Sequence, residues 1–376
     1  MFSLLPAALF SIILAAAVSA KPGLSVTLTG KAYIAPAIPA LMALLNAGPK
    51  EANGVGALIV TAKIVNTGDV KLQLLKDPRT VLNPLHTDTF LISNAAKKAP
   101  AFRGIKIKYS PETVVAQKKA SGFTVLAPGA SVEVKHDLSK GYDFTKSGAG
   151  AYNIVPRTAF EFVDAAGKLT PILATAKGTS VTLKGKLALR RVPRTSPGTT
   201  PHLGRRATFR GCSATQQKQV TAAAAEAQKL VDSAVKYLTV PANQLPKSTP
   251  RYVAWFGKLD FGRHADVFVN FQNMAFEKFD SYTYDCSCPF DEAFAFVDAR
   301  RFGTINICKL FFTAKPKGSN SQAGVLVHEA SHMIAGTQDF VSGKNAAQGL
   351  AIRDPNTAIQ NADNYEFFAE NEPALK

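Results

Sequence analysis

The run Gly324-Val325-Leu326-Val327-His328-Glu329-Ala330-Ser331-His332, followed by Gly336-Thr337-Gln338-Asp339, decides the architecture of the C-terminal part of this chain. Ala323, Leu326, Val327 and Ala330 recur at helical spacing, and Ser319 with Gln322 three residues on forms a capping box, so the segment is expected to be a helix. On a helix, His328 and His332 stand one turn apart on one face, where both imidazoles reach a single ion. Glu329 projects beside them, close enough to take a proton from a water on that ion without ligating it. Asp339 lies seven residues past His332, just after Gly336-Thr337, where the chain can turn back. It is the expected third ligand, which leaves an open position for water.

Outward from this helix, charge divides the chain. Of the 44 basic and 27 acidic side chains, 17 of each lie from Ala207 onward, so the net charge of +17 belongs wholly to the residues before it. Those basic residues are scattered among Pro, Gly and Thr without a nucleic-acid motif, and nucleic acid is not an expected partner. Arg190 to Arg206 holds Arg-Arg pairs, Pro193, Pro197 and Gly198, the composition of a linker, and a dibasic pair before a domain is a processing site. Leu4 to Val18 is apolar, too short to span a bilayer, and ends in Val18-Ser19-Ala20, as a cleaved signal peptide does. The expected division is therefore 1–20 signal peptide, 21–186 β-rich propeptide, 187–206 basic processed linker and 207–376 catalytic domain. A secreted, extracellular protein with no membrane partner follows.

Before the linker, short β-rich runs alternate with turn residues: Ser25–Thr29, Ala57–Val65, Val70–Leu75, Gly122–Leu126, Ser131–Lys135, Tyr152–Val155 and Ser180–Leu183. With the turn Asn66-Thr67-Gly68-Asp69 between two of them, they predict an all-β, sandwich-like unit. His86 and His136 stand alone there, as surface histidines. After the linker, Ser213 and Gln216 cap an Ala-rich helix to about Tyr237, with Ala223, Ala227, Leu230, Ala234 and Leu238 buried. A second helix spans His264–Phe276, Ala293–Asp298 and Thr304–Phe312 form a hairpin, and one or two closing helices start at Asp354-Pro355. The fold class is α+β, mainly helical with a small sheet, behind the all-β unit. Cys212, Cys286, Cys288 and Cys308 are an even set in a secreted chain and imply disulfides. Of the three connectivities, the one joining Cys286 to Cys288 is strained by the single intervening residue.

The motif and its sequel resemble the fungal deuterolysin-type zinc endopeptidases, or aspzincins, whose signature is H-E-x-x-H followed by G-T-x-D-x-x-Y-G. Seven of the eight fixed positions match; the exception is Ser342, which stands where the family has tyrosine. The link from His332 to Gly336 is also shorter than in close relatives. The resemblance implies a zincin-like domain holding one Zn2+ on His328, His332 and Asp339, with Glu329 as general base in peptide hydrolysis. It also implies the pairing Cys212–Cys286 and Cys288–Cys308. Asn66 to Val81 and Phe123 to Gly129 look like the propeptides of that family, which makes the chain's own propeptide a partner.

Asn361-Ala362-Asp363-Asn364-Tyr365-Glu366 resembles the peptidyl-Lys branch of the same family, whose pocket carries an acidic pair at this spacing. Asp363 and Glu366 would share one side of a helix and meet the ammonium of a substrate lysine; the bland account is a solvated acidic face. The resemblance thus implies cleavage on the amino side of lysine in lysine-containing polypeptides. A broader-specificity deuterolysin and a zinc-binding protein weakened by Ser342 are the alternatives. Tyr365 or an ordered water at Ser342 would be the replacement for the family's phenol.

Overall fold

The computed structural model describes residues 21–32, 50–189 and 206–375, so the expected signal peptide and nearly all of the linker lie outside the described residues. The helices are α1 (Pro111–Gln117), α2 (Ala214–Leu238), α3 (Pro250–Phe256), α4 (Phe261–Glu277), α5 (Gln322–Ile334), α6 (Lys344–Arg353), α7 (Pro355–Ala358) and α8 (Ala362–Glu370). Among the described residues no helix is long and apolar enough to cross a membrane.

Among the described residues up to 189, three four-stranded sheets and a two-stranded pair surround a main apolar core that includes Val60, Ile64, Leu74, Tyr152 and Phe160. Every second residue of the strand Leu58–Asn66 is buried, the period a half-buried strand dictates. Asn66 ends it by donating its side-chain amide to Val70 and Leu126 carbonyls (2.8 and 2.9 Å), while its Oδ1 accepts from Gly68 N–H, which builds the expected turn. All seven expected β runs contain strands, and further strands include Phe90–Asn94, Ile105–Lys108, Ala159–Val163 and Leu169–Leu173. His136 is not a surface residue: it is buried, with Nε2 3.1 Å from the Val81 carbonyl.

The C-terminal part packs its helices around a separate core of Val220, Trp255, Phe271, Ile305, Leu326 and Phe368 among others. α2 has the expected capping box at Ser213 and Gln216. Its buried face includes Val220, Ala224 and Val231, whereas Leu230 is only partly covered. Asp354 caps α7, and α6, a ten-residue helix not expected from the sequence, precedes it. The hairpin is shorter than expected. Ala295–Asp298 pairs antiparallel with Thr304–Ile307, but Lys309–Thr313 coils into a 3-10 helix, because its carbonyls and N–H groups close on one another rather than on a neighbouring strand.

One sheet crosses between the two parts. Its order is Thr208–Arg210, Thr283–Asp285, Thr304–Ile307, Ala295–Asp298 and, at the edge, Ile105–Lys108 from the N-terminal part. Lys108, Ile107, Lys106 and Ile105 stand opposite Ala295, Phe296, Val297 and Asp298, antiparallel.

Candidate metal centre and acidic pocket

α5 starts two residues later than the capping box implies. Ser321, not Ser319, is the cap, its hydroxyl accepting from Gly324 N–H at 2.9 Å. The cause lies in α8: Glu370 accepts Asn320 N–H, Ser321 N–H and the Ser321 hydroxyl (3.0, 2.7 and 2.8 Å), fixing the chain just ahead of the helix. A Cβ at Gly324 would lie 2.0 Å from Glu370 Oε1, so glycine is what lets the two helices approach. From Gln322 to His332 every residue is buried, which sets the imidazoles and Glu329 in a dry groove.

His328 Nε2 and His332 Nε2 lie 3.2 Å apart, and Asp339 Oδ1 lies 3.1 Å from the first and 3.2 Å from the second. His332 Nδ1 faces the Thr337 carbonyl at 2.9 Å, so that nitrogen carries the proton and Nε2 a lone pair. His328 Nδ1 lies 2.8 Å from Asp363 Oδ1 and 3.3 Å from Glu366 Oε2, which selects the same tautomer. Two lone pairs and a carboxylate oxygen therefore converge with no proton among them. They repel unless a cation joins them, and two imidazoles with a carboxylate are the donor set of a catalytic zinc. The residues fit the metal.

The loop carrying Asp339 is pinned by Asn361, whose Oδ1 accepts Phe340 and Val341 N–H (2.9 and 3.1 Å), while the backbone of Gln338 pairs with that of Gln360 and Ala362. Two imidazoles outweigh the effect of burial and hold Asp339 well below the usual carboxylate range. At Glu329 burial outweighs the pull of the nearby His328 imidazole and pushes the carboxyl up to about 8.

Asp363 and Glu366 lie on α8, and both are buried against His328 rather than solvated. Asp363 Oδ2 accepts Gly343 N–H at 2.6 Å. Between the two carboxylates sits the ammonium of Lys108, 2.8 Å from Asp363 Oδ1 and 2.7 Å from Glu366 Oε2, with its Nζ over the Phe367 ring. Burial opposes the charge on Lys108, but the carboxylates win and hold it above an ordinary lysine. Lys108 N–H donates to Glu329 Oε1 at 3.1 Å, and Ile107 N–H donates to Asp339 Oδ2 at 2.9 Å. Lys106 reaches the Thr337 carbonyl with Nζ at 2.5 Å.

The matching family model, described as lysine-specific metallo-endopeptidase, covers residues 241–370. A peptidyl-Lys metalloendopeptidase of Grifola frondosa is 41% identical over 100% of this chain and 99% of its own length. The chain belongs to the aspzincin family of zinc metalloendopeptidases. A second peptidyl-Lys metalloendopeptidase, from Armillaria mellea, is 40% identical over 97% of each chain. A solved zinc peptidase from Grifola frondosa is 42% identical, with 44% of this chain and 100% of that one covered and a TM-score of 0.42. Zinc is thus this aspzincin's cofactor and polypeptides are its substrates.

The structure joins Cys212 to Cys286 and Cys288 to Cys308, and leaves no free cysteine among the described residues. Tyr365 is not beside the metal ligands as a spare phenol. It is fully buried among Phe256 and Phe271, its hydroxyl donating to the Ile359 carbonyl (2.8 Å) and accepting from Asn270 (2.7 Å). Ser342 is buried on the loop just before Gly343. Lys108 is not singled out by sequence, and Thr337 and Asn361 stand there as motif positions without a role of their own. For Lys108 the only signal was the alternation Ile105-Lys106-Ile107-Lys108, a short edge-strand pattern among many lysines.

Proposed function

We propose that this enzyme is secreted as a latent precursor, and that its processed part, from near Ala207, hydrolyses peptide bonds on the amino side of lysine. His328, His332 and Asp339 hold zinc, which when bound supplies Lewis-acid chemistry toward water and the peptide carbonyl. Glu329 takes the proton of the attacking water and delivers it to the leaving amine. Its buried carboxyl, with one oxygen already facing a backbone N–H at the Lys108 position, suits both transfers. Asp363 and Glu366 receive the lysine ammonium of the residue after the bond that breaks. The observation that carries this reading is the ammonium seated between those carboxylates, 2.8 and 2.7 Å away and out of solvent. A compact ammonium fits between them where a planar guanidinium needs a wider fork. The names of the Grifola and Armillaria relatives support the same specificity.

Latency is supported by the strand Ile105–Lys108 lying across the groove. The leader before Lys21 and the Arg205-Arg206 pair support secretion and processing. The test is a digest of a denatured protein by the processed enzyme, read by mass spectrometry. New N-termini should be strongly enriched in lysine; a flat distribution would refute the pocket and leave a general deuterolysin.

A further inference from the structure

The strand Ile105–Lys108 is bound as a substrate would be. It extends a sheet whose own edge is Ala295–Asp298, the mode by which a peptide gains main-chain hydrogen bonds from an exposed strand. Gly104 and Lys108 carbonyls accept from Ala299 and Phe294 N–H (3.3 and 3.1 Å), which anchors both ends of the segment to that edge. Ile107 faces the other way, with its N–H on Asp339. The next amide nitrogen, Lys108 N, is on Glu329. The Ile107–Lys108 peptide bond therefore lies between the third ligand and the general base, and the lysine after it fills the acidic pocket.

We propose that Ile105–Lys108 is a tethered substrate of its own chain, with Ile107–Lys108 in the position of the bond to be cut and Lys108 as the residue that makes the precursor latent. This rests on the lysine pocket proposed above and adds the device that blocks it. A blocking segment needs only bulk; here the side chain in the pocket is the one the pocket selects, fully buried, with two carboxylates neutralising it. Removing one partner from such a desolvated charge cluster leaves the others uncompensated, so Lys108 should dominate the affinity of the segment.

The test uses the full-length chain with Glu329→Gln, so that it does not digest itself, and a specific protease site placed in the linker. After the linker is cut, the N-terminal part should stay bound to the C-terminal part, and Lys108→Ala should weaken its Kd by at least about 30-fold. A synthetic Gly-Ile-Lys-Ile-Lys-Tyr-Ser peptide should bind the processed, zinc-loaded Glu329→Gln enzyme competitively with the N-terminal part. The same peptide with alanine for its second lysine should not, and this arm holds even where Lys108→Ala fails to fold. Equal binding of both peptides, or a Kd for Lys108→Ala within about threefold of the parent, would overturn the proposal and leave backbone pairing as the sole anchor. If digests by the processed enzyme show lysine preference while Lys108 proves dispensable, only the tether is refuted. If they show none, the pocket itself is.

Discussion

Asp339 divides its carboxylate, Oδ1 standing 3.1 Å from His328 Nε2 while Oδ2 accepts Ile107 N–H from the other part of the chain. The oxygen aimed at the imidazoles is the one a metal takes, so Asp339→Ala should remove zinc and activity together. Glu329→Gln should keep stoichiometric zinc and lose turnover, because Glu329 lies beside the converging atoms and is not one of them. Metal analysis of both purified variants decides the matter. Zinc retained at unchanged affinity in Asp339→Ala would sink the ligand assignment.

The raised carboxyls predict a pH trend in the metal-free precursor. Burial holds Glu329 at about 8 against an ordinary 4.5, and burial with the nearby Glu366 holds Glu370 at about 8 too. Each folded carboxyl keeps a proton that the unfolded chain releases above about 4.5, so the stabilisation is complete below that pH and is lost as pH rises through 8. Chemical unfolding in the presence of a chelator should show stability falling across that window. Glu329→Gln and Glu370→Gln should each flatten part of the slope, and zinc should flatten the Glu329 part by favouring its charged form. A slope unaltered in both variants would assign the trend to other groups.

Gly324 should tolerate no side chain. Its missing Cβ would meet Glu370 Oε1 at 2.0 Å, and Glu370 is not free to swing because Asn320 and Ser321 hold it. Gly324→Ala should destabilise the enzyme by about 1–3 kcal/mol, the usual range for forcing an extra carbon into a packed interface. Thermal unfolding checks this, and a variant as stable as the parent would show that α8 shifts at little cost.

What the sequence revealed here follows the range of the interactions involved. His328, Glu329 and His332 are one helical turn of local geometry, and Ser213 with Gln216 is a local cap; both are legible from spacing alone. Asp363 and Glu366 were legible as a pair, but not their burial, which depends on α8 packing along α5. The local capping pattern points to Ser319, while Glu370, which fixes the true start at Ser321, is some fifty residues away. Lys108 was invisible for the same reason. It meets its partners across 255 residues of chain, and no periodicity encodes that contact.

Tyr365 illustrates a different limit. As a phenol it is the expected replacement for the family's tyrosine, but three residues of helix between Asn361 and Tyr365 turn it into the aromatic core, where Asn270 and the Ile359 carbonyl take its hydroxyl. Tyr365→Phe should therefore cost about 0.5–1.5 kcal/mol of stability per lost hydrogen bond and leave kcat of the folded enzyme unchanged. A fall in kcat with stability intact would return it to the site.

The two pocket carboxylates are not equivalent, and their substitution should separate specificity from metal binding. Asp363 Oδ1 lies 2.8 Å from His328 Nδ1 as well as from the Lys108 ammonium, and its Oδ2 holds Gly343 N–H. Glu366 is closer to the ammonium, at 2.7 Å, than to His328, at 3.3 Å. Glu366→Gln should thus lower kcat/KM for lysine substrates by about 30-fold or more, the effect of removing one partner of a desolvated charge. Residual cleavage before neutral residues should change little, so the selectivity ratio should fall with it. Asp363→Asn should lower both that ratio and zinc affinity, the latter by about 10–100-fold, as loss of a group orienting a ligand imidazole does. Kinetics on a matched pair of lysine and neutral peptides, with zinc titration of each variant, distinguishes the two. Equal losses on both peptides for Glu366→Gln would place Glu366 with the metal rather than with the lysine.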